Sequence, residues 1–137
     1  MKKYSLMMIA VAGLLSATVV EAQEMPGEYA EVWKTLDRKG DFKSGVLKVN
    51  IPGSDLKMTI QGIATPTPFG FGGWVALSKS SDGADAMMGD LVLTQGEVNP
   101  VMSALLENGI DVTALHNHFF WDDPHVYFTH VHGMGEL

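Results

Sequence analysis

All five histidines of this chain lie between positions 116 and 132. His116 and His118 are two residues apart in one β-rich segment, and His130 and His132 are two apart in the next. Successive side chains on a strand point to opposite faces, so each pair shares a face. His125 is an odd number of residues from His130, which turns it to the other face as far as the strand reaches it. With residues 121–125 as the connection, Phe120 faces Val126, His118 faces Phe128, His116 faces His130 and Ala114 faces His132. Directly opposed Cβ atoms lie roughly 4.5–5.5 Å apart, so His116, His118 and His130 converge, with His132 on the diagonal. Three imidazoles and a water suit catalytic zinc, and the same set accepts copper, nickel or iron. The expectation is one divalent metal ion, zinc before the others. His116, His118 and His130 are its ligands, and His132 is a fourth ligand or a base. The expectation hangs on register, because a one-residue slip sends one pair to the wrong face. The competing readings are a structural histidine pair near a sheet edge and a histidine pH sensor.

Few other residues offer chemistry beside such an ion. Asp90 and Glu97 flank a strand–helix junction next to the hairpin, and either suits a further ligand, an outer partner or a general base. Glu97 also fits a capping box with Thr94, the reading its spacing favours. Asp122 and Asp123 are adjacent in a loop and read as a solvated turn, which His125 caps. Met134, just after His132, is the one methionine kept as a thioether candidate, since Met102 lies on an apolar helix stripe. The glycines around Phe71 lack the spacing of a dinucleotide loop, and no G-x-S-x-G elbow occurs. Cysteine is absent, which removes thiolate sites, disulfides and a Cys nucleophile.

The elements that must position these residues follow from periodicity. Tyr29, Val32, Trp33 and Leu36 fall at helical spacing. Residues 45–51 and 56–60 read as strands around Pro52-Gly53 and are expected to form a hairpin. Residues 65–73 are a Pro- and Gly-rich loop. Strands follow at 74–77 and 87–94, with Gly89 a possible bulge. Val98, Val101, Met102, Leu105 and Leu106 form one apolar stripe, closed by Gly109. Pro100 is tolerable only in a first turn, which favours a regular helix starting at Asn99. Strands at 110–118 and 126–132 complete an α+β fold. Its antiparallel sheet has about six strands, with one or two helices on one face and a His-bearing hairpin at the end.

The 137 residues allow a single domain. A net charge of -7 argues against a nucleic-acid partner. Lys2 and Lys3 precede an uncharged apolar run over residues 5–20, and Val20-Glu21-Ala22 provides a cleavage site. Residues 1–22 therefore read as a secretory signal peptide cleaved after Ala22, leaving residues 23–137 as the domain, periplasmic or secreted. No later segment is long and apolar enough to span a bilayer.

Residues 88–118, with VNPVMSAL and ALHNH inside them, resemble the LppY/LpqO family of bacterial envelope proteins. So do residues 45–52, 55–57 and 72–74, and His130-Val131-His132-Gly133. The resemblance implies a shared site at His116, His118 and His130, but no established activity. The mycobacterial namesakes are lipoproteins, whereas this chain has no cysteine to lipidate. Relatives continue past the H-x-H-G segment into a further helix, which marks this chain as a short or C-terminally truncated member. A missing helix would leave one face of the sheet exposed.

Two functions follow. The first is an exported metal-binding domain that acts on an unknown small molecule, with metal-assisted hydrolysis open to it. The second is a non-catalytic envelope module whose histidines are structural. Its partner surface would be the aromatics Phe69, Phe71, Trp74, Phe119, Phe120 and Trp121.

Overall fold

The computed structural model describes residues 24–137. The expected signal peptide, with its cut after Ala22, lies outside the described residues. Alternation in β2 (Val46–Ile51) turns Leu47 and Val49 inward, and both are buried. Helix α1 (Gly27–Leu36) lays Tyr29 on Leu47, Val49 and Leu77. The Tyr29 hydroxyl donates to buried Asp85 at 3.2 Å. Lys79 joins Asp85 at 2.7 Å and Glu28 at 2.6 Å, so an ion pair ties the helix to the sheet. Hydrogen bonds to Asp85 and Glu28 raise the Lys79 pKa above its ordinary value.

The main sheet has six antiparallel strands in the order β1 (Asp41–Lys43), β2, β5 (Gly73–Lys79), β6 (Asp85–Thr94), β9 (Val126–Gly135), β7 (Asp111–His116). Helix α2 (Gln95–Glu107) packs against β6, β7 and β9. Both helices lie on one face, since Val32 and Leu36 of α1 and Leu105 of α2 line one groove over Val75, Leu77, Met87 and Val131. The α+β fold, its six-stranded sheet and its His-bearing C-terminal hairpin are as the sequence indicated.

A second sheet departs from that reading. It is three-stranded, in the order β4 (Ile63–Thr65), β3 (Met58–Ile60), β8 (Asp122–Asp123). The expected hairpin of residues 45–51 with 56–60 does not form. β2 pairs with β1 and β5, while β3 pairs with β4 and β8. The small sheet covers the other face of the main sheet, where Met58 and Phe71 pack on Val126 and Phe128.

Gly89 forms no bulge. It keeps register with Val75 and Val131, and a Cβ there would come within 2.8 Å of Val131 Cγ2 and 3.1 Å of the Trp74 carbonyl oxygen. The glycine lets two strands' side chains meet over it. Helix α2 runs through Pro100 instead of starting at Asn99. It forgoes the one N–H bond that Pro100 cannot donate, and a full capping box at Thr94 and Glu97 sets its start further back.

Candidate functional site

Strand β9 lies between β6 and β7, so His130 has Asp90 on one side and Ala114 on the other. His116 stands opposite Phe128, not opposite His130. The pairing is two residues away from the expected one. The connection from β7 to β9 covers residues 117–125, longer than five, because Asp122 and Asp123 leave to pair with β3. A bulge between Val112 and Ala114 absorbs a further residue. A shift by two preserves the face, and so the convergence partly survives. The small Ala114 leaves room beside His130, and His116 leans across the diagonal into it. Their Nε2 atoms are 2.9 Å apart, one donating and the other accepting.

His118 lies just beyond β7. Its ring stacks on Phe128 at 3.4 Å between centroids and on His116 at 5.1 Å. Burial of that ring, then the charge of His116, hold its pKa below the ordinary histidine value, with Asp90 opposing. Asp90 Oδ1 is buried, has no hydrogen-bond partner, and lies 4.0 Å from His130 Nδ1. As the rings stand, no three His, Asp or Glu side chains among the described residues surround a common point. The His116–His130 pair stands at a hydrogen-bond distance of 2.9 Å. Two nitrogens held by one tetrahedral zinc lie roughly 3.3–3.4 Å apart, given bonds of about 2.0–2.1 Å.

The loop behind the cluster holds a second polar group. Asp122 is buried, its side chain 1% exposed, and its Oδ1 accepts from His125 Nδ1 at 2.5 Å. Its Oδ2 accepts the Val126 N–H at 3.1 Å. Asn117 Nδ2 donates to the Val126 carbonyl at 2.9 Å and meets His125 Nε2 at 3.1 Å. The Asn117 side chain thus pins the chain between His116 and His118 to the start of β9.

A family model described as Domain of Unknown Function (DUF1259) matches residues 30–137. The chain belongs to the DUF1259 family. No curated protein and no solved structure matches it. The family match takes in every histidine of this DUF1259 chain, together with Asp90 and Asn117.

Of the residues singled out from sequence, the DUF1259 fold brings His116, His118, His130 and Asp90 together. It does not bring in His132, which stands opposite Met88 and Asp111 and shares no ring contact with the other three. Met134 is exposed opposite Ala86. Glu97 is engaged at the helix cap, where it accepts from the Thr94 N–H at 2.8 Å and the Thr94 hydroxyl at 2.7 Å. Those two bonds lower its pKa below the usual glutamate value. Asp122 is not the solvated turn residue it looked like in sequence. His125 does tie that turn, through Asp122, but its other nitrogen meets Asn117, and its ring lines a pocket shared with His118. The signals were there: an Asp and a His three apart inside a loop, and an asparagine between two histidines. Neither shows its tertiary partner in sequence.

Proposed function

We propose that this domain binds one divalent metal ion at His116 and His130, with His118 as the third donor. The Nε2–Nε2 approach of His116 and His130 is the observation that carries this reading. Both rings meet by the same nitrogen, which leaves His130 Nδ1 free to face Asp90. Metal-ligating imidazoles characteristically present their second nitrogen to a carboxylate in this way. Asp90 Oδ1, otherwise without a partner, supports that role. His118 supplies the third nitrogen by rotating off Phe128. Zinc fits three imidazoles best, ahead of copper, nickel or iron. An ion with an open position supplies Lewis-acid assistance to hydrolysis.

Within the DUF1259 family we assign the chain to the LppY/LpqO type, on the VNPVMSAL and ALHNH segments. We read it as an exported protein, periplasmic or secreted, on residues 1–22. Among the described residues no helix is long and apolar enough to cross a membrane.

A second reading rests on Phe120 and Trp121, which are 89% and 65% exposed and pack edge to face. Under it the module binds an envelope partner by these rings, and His116–His130 is a structural hydrogen bond. Melting curves separate the two. Zinc at 100 times its Kd stabilises a binding fold by about 2.7 kcal/mol. The metal reading expects that rise in the parent and in Trp121→Ala, and its loss in His116→Ala. No rise in the parent contradicts it.

A further inference from the structure

A pocket of about 310 Å³ opens beside the histidine cluster, lined by Asn117, His118, Phe119, Phe120 and His125. We propose that it is a ligand site for a ring bearing a free hydroxyl, held between Asn117 and His125 and flanked by Phe119 and Phe120. The proposal goes beyond the metal reading and stands without it.

The polar end carries the assignment. His125 Nδ1 donates to buried Asp122, which leaves Nε2 as an acceptor, and both His125 and Asn117 line the pocket. Asn117 Nδ2 gives one N–H to the Val126 carbonyl and the other to that acceptor, so the two groups close the polar end against each other. A donor next to an acceptor matches a hydroxyl, which accepts and donates at once. Such a group takes the place of the 3.1 Å bond between Asn117 and His125, exchanging that one hydrogen bond for two to the hydroxyl. The Asp122 carboxylate behind the imidazole and the net charge of -7 disfavour an anion. The volume sits at the lower end of small-molecule pockets, roughly 300–1,000 Å³. Phe119 is anchored on Phe71 at 5.5 Å, whereas Phe120 stands exposed with one face open to a flat partner. Ring hydroxyls come from phenols and from sugars, and two probes tell them apart.

The test is a nuclear magnetic resonance titration of the metal-free protein, reading the His125 Cε1–H resonance. The probes are phenol, methyl β-glucopyranoside and anisole, in which the phenolic hydrogen is replaced by methyl. The expected result is a saturable shift with phenol, which assigns an aromatic ligand, or with the glucoside, which assigns a sugar. If phenol binds, anisole should bind about tenfold more weakly, because the site's acceptor is then left without its donor. Phe120→Ala, on an exposed side chain, should weaken binding several-fold with an unchanged melting midpoint. Asn117→Ala should weaken it further. The His116→Ala/His130→Ala variant, which removes the metal site, should bind like the parent. No saturable shift with either hydroxylated probe up to about 50 mM, a generous range for ligands of this size, would overturn the proposal. So would anisole binding as well as phenol, or Phe120→Ala and Asn117→Ala both binding like the parent.

Discussion

The Nε2 atoms of His116 and His130 meet at 2.9 Å although the two residues are diagonal rather than opposite on their strands. Diagonal Cα atoms in an antiparallel pair lie too far apart for short side chains but within reach of aromatic ones. Two features close the gap. Ala114 occupies the position opposite His130 and leaves its flank open, and Phe128 supports His116 and His118 from below. The cluster is therefore a property of the β7–β9 pairing, buttressed by Asn117 where the chain leaves β7.

Asp90 is the first residue to test beside the proposed ligands. Asp90→Asn removes the charge behind His130 while keeping its shape. Zinc affinity should fall about 10- to 100-fold, with stoichiometry unchanged. Competition against a chromophoric chelator measures this. An affinity equal to the parent would show that Asp90 does not orient His130.

Gly89→Ala should destabilise the domain by about 1–3 kcal/mol through overpacking. Its Cβ would come within 2.8 Å of a Val131 methyl and 3.1 Å of the Trp74 carbonyl oxygen. Val131 is β-branched and stiff in its strand, so it yields little. Urea unfolding gives the number, and a change under 0.5 kcal/mol would refute the close-approach argument.

Tyr29→Phe should cost about 1.5 kcal/mol, the worth of a hydrogen bond to a charged acceptor. The ring stays packed in the core, while Asp85 loses one of its two side-chain partners and keeps Lys79. Because the deletion loosens α1 from the sheet, amide exchange should rise most over Gly27–Leu36.

Glu97 gives the stability a dependence on pH. Its hydrogen bonds from Thr94 depress the folded pKa below the unfolded value of about 4.3. The contribution is therefore complete above about pH 4.3 and is lost as pH falls through the depressed value. The gap in urea midpoint between parent and Glu97→Ala should be widest near pH 6 and narrow below about pH 4. A gap of constant size would contradict the capping role.

The helices and the β7–β9 hairpin were legible because each carries its own period: Tyr29 to Leu36 in one helix, Val98 to Leu106 in the other, and paired histidines at spacing two. The second sheet was not. The alternation over residues 56–60 identifies a strand but not its partner, and β8 is only two residues long. Register failed for the same reason. Asp122 leaves the hairpin for a tertiary partner, which lengthened the connection and moved His116 from His130 to Phe128. Glu97 was read correctly as a cap because Thr94 and Glu97 lie close in sequence. Asp122 was misread because its burial depends on Met58–Ile60, some sixty residues away.

The most direct test of the metal assignment is elemental analysis by mass spectrometry of untagged protein after incubation with excess zinc at neutral pH and removal of the free ion. About one equivalent of zinc in the parent, and under about a tenth in the His116→Ala/His130→Ala variant, is the predicted result. Less than about a tenth of an equivalent in the parent, or equal zinc in parent and variant, would contradict it.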